Sequence, residues 1–170
     1  NRDKRHPFSP AQLTKIFHAP LYSGCLDGDR GYNKSGTMHP RNARFWIPLI
    51  AIHTGMRLNE ICQMDTTDIQ EIDGVHCFCI TTKSAVGSTD KRVKTTASER
   101  LIPIHPTLQR LGMVQYACSK YSSGNTKLFH DVPTGTRDVR AVAFSKWFTQ
   151  FLGGVGAREE RTSFHSFRHN

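Results

Sequence analysis

Thr54-Gly55-Met56-Arg57-Leu58-Asn59-Glu60-Ile61 joins two apolar segments of the chain. Because glycine has no Cβ, the Thr-Gly pair permits a sharp turn between two helices. Leu58 and Ile61 are three residues apart and can pack the second helix into a core. Arg57 is then expected in the first turn of that helix, beside free backbone N–H groups. The pattern predicts an arginine that a corner presents to an anion; the alternative is an ordinary surface arginine.

Charge and composition narrow the class of partner. The chain has 170 residues, with 23 Lys and Arg against 14 Asp and Glu, a formal charge of +9 and a pI near 9.6. This surplus favours a polyanion, nucleic acid before membrane. No apolar run approaches the ~20 residues that span a bilayer, and no signal peptide opens the chain. The five cysteines have no framework spacing, which predicts reduced thiols in a cytosolic protein.

Helical patterns flank the corner on both sides. Ser9-Pro10 predicts a helix start, which Pro20 ends, and a loop is expected over 21–40 with Tyr22 and Leu26 docked on the core. Residues 44–53 are apolar almost all round, which indicates a buried helix, with Pro48 either in its first turn or at a kink.

The middle of the chain predicts a hairpin. Asp73-Gly74 is a tight-turn signal, and residues 75–82 are rich in β-forming side chains. A polar, basic stretch over 83–98 separates this strand from a second one over 100–104, where Pro103 indicates an edge or a strand end. We therefore expect a long loop that carries several lysines and arginines.

Two more helices complete the predicted fold. Pro106 starts one that runs to about Tyr121, and the apolar residues between Phe144 and Leu152 have the spacing of an amphipathic helix that Gly153-Gly154 stops. The fold class is thus α+β, mostly helical, with a small antiparallel β-sheet or hairpin. At this length the chain fits one domain over 8–170, after a charged linker over 1–7.

The chain closes on His165-Ser166-Phe167-Arg168-His169. In a helix His165 and Arg168 share a face, and Phe164 and Phe167 share a buried one. His165 and His169 also have the spacing of zinc-binding helices, but no third ligand is evident. Cys77-x-Cys79 is a second thinkable metal pair without a partner pair, so we predict no metal site.

Three motifs in order resemble the catalytic domain of the tyrosine recombinase (phage integrase) family. Thr54-Gly-Met-Arg57-Leu-Asn-Glu60 is similar to the first-arginine box, and Lys94 to Pro106 looks like the hairpin with the family's catalytic lysine. His165-Ser-Phe-Arg168 looks like the His-x-x-Arg box. Each motif alone is weak, and the three together cover nearly the whole chain.

The resemblance implies an enzyme that cuts and rejoins DNA at specific sites through a 3′-phosphotyrosyl intermediate, without metal, ATP or other cofactor. The family's nucleophilic tyrosine follows the His-x-x-Arg box, whereas all four tyrosines of this chain precede it. We therefore expect residues 1–170 to lack the nucleophile, to lack an upstream core-binding domain and to be inactive alone. A type IB topoisomerase-like enzyme and a non-catalytic DNA-binding module on the same fold are the alternatives.

The family's roles transfer to matching positions. Arg57 and Arg168 would clamp the phosphate, Lys94 would protonate the leaving 5′-oxygen, with Lys91 as competitor, and His165 would move a proton or bind phosphate. Glu60 would brace Arg57 or a neighbouring basic group. Further DNA contacts are expected from the remaining basic residues: Lys83, Lys91, Arg92, Arg100 and His169.

The resemblance also predicts partners and location. Duplex DNA is the expected substrate, on which the full-length recombinase would assemble as a tetramer, and no membrane is involved. Such proteins act in DNA integration and prophage recombination, in a bacterial or phage-encoded, nucleoid-associated cytoplasmic setting.

Overall fold

The computed structural model describes residues 5–93, 95, 98–134 and 139–170, and it confirms the α+β class with a small antiparallel sheet. The helices are α1 (Pro10–Phe17), α2 (Pro20–Ser23), α3 (Ala43–Thr54), α4 (Leu58–Cys62), α5 (Pro106–Arg110), α6 (Met113–Ser122) and α7 (Arg140–Gly154), with 3₁₀ turns at Thr66–Asp68 and Phe164–His169. The strands are β1 (Ile69–Ile72), β2 (Val75–Ile80) and β3 (Arg100–Pro103).

Two compact units make up the chain. Unit 1 consists of Asn1–Leu58 and Val142–Asn170, and unit 2 consists of Asn59–Ala141. The sequence predicted one domain over 8–170 behind a linker whose first four residues lie outside the described ones. Each unit is described by itself below.

Aromatic side chains form the core of unit 1. Every apolar residue of the predicted amphipathic stripe on α7 is buried, which confirms that prediction: Phe144, Trp147, Phe148, Phe151 and Leu152. Phe148 meets Phe164 edge-on at 5.2 Å between ring centroids, and Phe8 meets Phe167 at 4.9 Å. Such pairs add to the free energy gained by burying their area. The 3₁₀ turn at Phe164–His169 is therefore attached to this core through its two phenylalanines.

The first helices of unit 1 follow their sequence signals, with two differences. Ser9 caps α1 in a reciprocal pair with Gln12, as the Ser-Pro pair predicted. Pro20 does not simply end a helix but begins α2, because its fixed φ suits a first helical position. Leu26 was expected on the core and is exposed, whereas the Tyr22 hydroxyl donates to the carbonyl oxygen of Phe45 at 3.2 Å.

Helix α3 is the buried central helix that the sequence predicted. Asn42 caps it by accepting a hydrogen bond from the backbone N–H of Phe45 at 3.2 Å. Pro48 lies inside the helix, beyond the first turn, where it removes one backbone N–H from the helical ladder.

The sheet of unit 2 has the order β1-β2-β3, with both pairs antiparallel. Asp73 and Gly74 both have positive φ, 51° and 78°, as a type I′ hairpin turn requires. Pro103 ends β3, which is an edge strand, so both readings of that proline are confirmed. The basic stretch over 83–98 does connect two paired strands.

The helix predicted from Pro106 to Tyr121 is in fact two helices, α5 and α6. Gly112 separates them with φ 94°, a conformation that a glycine adopts without strain. Leu128 and Phe129, predicted as an apolar anchor, are fully buried. None of the helices within the described ranges has the length and apolar character that a bilayer crossing needs.

Candidate phosphate-binding site

The corner after α3 is built as the Thr-Gly pair predicted. Gly55 caps the helix in the left-handed region, at φ 64° and ψ 16°, and its N–H donates to the carbonyl oxygen of Ala51 at 2.9 Å. The backbone N–H of Met56 donates to the Thr54 hydroxyl at 3.2 Å, and the Met56 side chain is buried. Arg57 directly precedes α4 instead of lying in its first turn, so the corner itself places this half-buried arginine.

The second motif forms a 3₁₀ turn whose geometry is set by its neighbours. Ser163 and Ser166 cap the turn reciprocally, and Ser166 is fully buried. Asn170 fixes its end by donating to the carbonyl oxygen of Phe8 at 2.8 Å. A 3₁₀ helix has three residues per turn, so His165 and Arg168 stand one above the other. This matches the shared face that the sequence predicted.

A hydrogen bond connects the two motifs within unit 1. The guanidinium of Arg168 donates from Nη1 to the carbonyl oxygen of Gly55, a residue 113 positions earlier in the chain. The turn that carries Arg168 also packs against α3. The second arginine is thus attached by a hydrogen bond to the corner that directly precedes the first.

His165 lies among positive charges. Its pKa is lowered from the ordinary histidine value, first by partial desolvation and then by the charges of Arg168, His169, Arg57 and Arg5. Its ring lies 5.3 Å from that of His169, centroid to centroid, and both side chains are exposed. The imidazole is therefore neutral near pH 7 and can accept a proton or donate a hydrogen bond.

The two candidate lysines of the loop have different outcomes. Lys94 lies outside the described residues. Lys91 is buried, and its ammonium donates to the carboxylate of Asp68 at 2.7 Å and to the carbonyl oxygen of Lys83 at 2.8 Å. An ammonium held in this way has almost no surface for a phosphate, which argues against Lys91 as general acid or DNA contact.

A buried ionic network surrounds Lys91 in unit 2, and no sequence signal indicated it. Lys127 pairs with Asp65 at 2.9 Å and with Asp90 at 2.5 Å, and Arg140 pairs with Asp90 at 3.2 Å. Burial alone would raise the pKa of Asp65, but hydrogen bonds from two serine hydroxyls and Lys127 outweigh it and hold that pKa low. The network fixes the start of the β2–β3 loop to the body of unit 2.

The remaining predicted residues of unit 2 lie at or near the surface, apart from Glu60. Glu60 is buried and forms a bidentate pair with Arg100, at 2.9 Å and 3.3 Å. Glu60 was predicted to brace Arg57 or a neighbouring basic group, and Arg100 is such a group. Lys83 and Arg92 are exposed. No sequence pattern indicated a role for Gln63. Its side chain donates to the carbonyl oxygen of Arg92 and accepts from the backbone N–H of Arg92, each at 2.8 Å.

The tyrosines do not supply an evident nucleophile. Burial raises the pKa of Tyr22 and of Tyr116, and each hydroxyl donates to a backbone carbonyl. Tyr32 packs its ring against Trp147 in unit 1, while Tyr121 is exposed on α6 in unit 2. Over the ranges that the structure covers, no three His, Cys, Asp or Glu side chains come together in a group that could hold a metal ion.

Comparison of the chain with family models, with curated proteins and with solved structures gave no match.

Proposed function

We propose that this chain is the catalytic domain of a site-specific DNA recombinase of the tyrosine type. One observation carries the proposal: Arg168, from the last motif, is hydrogen-bonded to Gly55 in the corner that precedes Arg57. After partial desolvation, the charges of both arginines also contribute to the lowered pKa of His165. Two permanently charged guanidinium groups beside a neutral imidazole suit a phosphodiester that becomes five-coordinate. The formal charge of +9 supports the same class of substrate.

Each side chain has a chemical reason for its role. The planar fork of arginine can bond two phosphate oxygens and keeps its charge at any physiological pH. Arg57 and Arg168 would therefore stabilise the negative charge that builds up on the oxygens in the transition state. His165, being neutral, would accept the proton of an attacking hydroxyl or bond a phosphate oxygen.

Lys94 remains the candidate for general acid, on the resemblance of its motif alone. An ammonium can protonate the 5′-oxygen as it leaves. In a longer form that carries the nucleophilic tyrosine, a substrate with sulfur at the 5′-bridging position releases a thiolate, which needs no proton. Such a substrate should therefore rescue Lys94→Ala much better than Arg57→Ala. Equal rescue of both variants would remove Lys94 from that role.

Duplex binding is the first test. Fluorescence anisotropy of a labelled duplex, titrated at several salt concentrations, should show weak binding. The logarithm of the association constant should fall linearly with the logarithm of the salt concentration. Arg57→Gln and Arg168→Gln should each reduce the slope by about 0.9 for one lost phosphate contact. Arg30→Gln, an exposed arginine of unit 1 outside the site, is the matched control. Affinity that does not change with salt would contradict the proposal.

Covalent chemistry is the second test. Residues 1–170 should form no protein–DNA adduct on a nicked duplex that traps cleavage, because no tyrosine follows the His-x-x-Arg motif. A longer form that carries such a tyrosine should form the adduct. Arg168→Ala should then slow adduct formation by raising its activation free energy by about 3 kcal/mol, the order of one lost oxyanion donor. A longer form that binds DNA but never forms an adduct would favour the non-catalytic DNA-binding module.

A further inference from the structure

A second cluster of arginines lies in unit 1, apart from Arg57 and Arg168. Arg5, Arg158 and Arg161 line one cavity of about 550 Å³. They come from the start of the chain and from the loop after α7, so the fold and not the local sequence gathers them. Glu159 and Glu160 line the same cavity, which leaves a net formal charge of one positive unit on its walls.

These arginines are not neutralised as the cations of unit 2 are. Lys91, Lys127 and Arg140 each have a carboxylate partner. By contrast, within the described part of the chain no carboxylate oxygen lies within 4.0 Å of the guanidinium nitrogens of the three cavity arginines. Their positive charge is therefore available to an anion that enters the cavity.

The backbone of Arg161 gives an independent reason to look for a ligand. Its φ is 62°, the left-handed region that a residue with a long side chain adopts at a cost of about 1 kcal/mol or more. Its carbonyl oxygen accepts a hydrogen bond from the backbone N–H of His6 at 3.0 Å, which helps to hold this conformation. Asparagine or glycine would fit the backbone better, so an arginine here indicates a use for its side chain.

Arg5 lines the cavity and also acts electrostatically on His165 of the candidate site. Its charge is one of those that lower the pKa of His165, together with the charges of Arg57 and Arg168. The cavity and the candidate site thus lie within electrostatic reach of each other in one compact unit. A DNA strand presents a phosphate at every nucleotide, so a strand clamped at one site brings its neighbouring phosphates close by.

We propose that the arginine cavity, formed by Arg5, Arg158 and Arg161, is a second phosphate subsite that binds a neighbouring phosphodiester of the DNA strand held by Arg57 and Arg168. The subsite rests on the proposed function, since it needs DNA as the ligand. It contacts the sugar-phosphate backbone and carries no base specificity, because arginine contacts to phosphate fix register without reading sequence. Its contribution is to position the strand before the chemistry.

The test uses residues 1–170 and the same labelled duplex over a series of salt concentrations. Arg161→Asn removes the charge while keeping a residue that tolerates the left-handed backbone, and Arg158→Gln removes the second charge without that issue. We expect each variant to lower the salt slope by about 0.9 and to weaken binding at low salt. Arg161→Lys, which keeps the charge, should bind nearly as the unchanged chain does. Arg30→Gln again serves as the control.

The outcomes separate the two proposals. If the unchanged chain binds no duplex at low salt, the proposed function fails and the subsite fails with it. If the chain binds and Arg57→Gln lowers the slope, but Arg158→Gln and Arg161→Asn leave it unchanged, only the subsite is overturned. Circular dichroism melting curves that overlay those of the unchanged chain show that a lost slope comes from lost charge and not from unfolding.

Discussion

Lys91→Met is the substitution that tests most sharply what the buried lysine does. The Lys91 side chain is 2% exposed and the Asp68 side chain 6% exposed, with 2.7 Å between the ammonium and carboxylate atoms. Methionine keeps most of the volume but leaves the carboxylate buried without its cation. Breaking one side of a buried pair costs about 3–5 kcal/mol, and we expect the free energy of unfolding at pH 7.5 to fall by about 3 kcal/mol.

The loss of unfolding free energy in Lys91→Met should depend on pH, and the pKa of Asp68 determines the direction of that dependence. Burial already raises the pKa of Asp68 while Lys91 lowers it, and removing Lys91 raises that pKa further. In the variant the folded state then binds a proton more readily than the unfolded state, so the deficit shrinks as the pH falls through the raised pKa. Urea denaturation at pH 7.5 and pH 5 measures both values.

Two comparisons decide the result. The double variant Lys91→Met with Asp68→Leu should recover much of the loss, because the carboxylate that Lys91→Met leaves without its cation is removed as well. Lys83→Met changes an exposed lysine and should cost no more than about 0.5 kcal/mol. A loss below 1 kcal/mol for Lys91→Met would refute the buried pair and would return Lys91 to the candidates for general acid.

Two further predictions concern unit 1. Gly55→Ala should lower the free energy of unfolding by about 1 kcal/mol in thermal unfolding, and Gly55→Asn should lower it by less. A Cβ at this position would meet no atom within 4 Å, so only the left-handed backbone conformation resists the substitution. An unchanged melting temperature for Gly55→Ala would contradict this. Arg168→Gln should raise the pKa of His165 in an NMR titration, since a positive charge that disfavours the imidazolium is removed. The folded-state pKa of His165 lies below its unfolded-state value of about 6.5, so the unfolded state takes up this proton first as the pH falls. The free energy of unfolding therefore decreases below about pH 6.5, and it decreases less in the variant.

The parts of the fold that local patterns specify were predictable. The cap at Ser9, the apolar stripe on α7 and the turn at Asp73-Gly74 each depend on residues within about a dozen positions of one another. The break at Gly112 was missed because the apolar spacing continues across it and one glycine weakens a helix pattern only slightly. Lys91 was missed because a lysine in a polar stretch has the same local signature whether it is solvated or paired with a carboxylate more than 20 positions away.

The candidate site divides in the same way. The spacing of His165 and Arg168 predicted their shared face, and the Thr-Gly pair predicted the corner before Arg57. The hydrogen bond from Arg168 to the carbonyl oxygen of Gly55 was beyond any spacing argument, because it is tertiary and its acceptor is a backbone atom that every residue carries. The Arg161 backbone was equally invisible, since a positive φ at an arginine has no sequence signal.

The lowered pKa of His165 has a consequence for catalysis if the proposed function holds. Without DNA, partial desolvation and the charges of Arg168 and Arg57 disfavour the imidazolium, so His165 stays neutral and ready to accept a proton. A phosphodiester bound between the two guanidinium groups offsets part of their charge and makes protonation of His165 easier. The histidine would then become a better base only once its substrate is in place. An NMR titration of His165 with inorganic phosphate added should show its pKa rising, and a pKa that is indifferent to phosphate would mean that the arginines do not share an anion with the histidine.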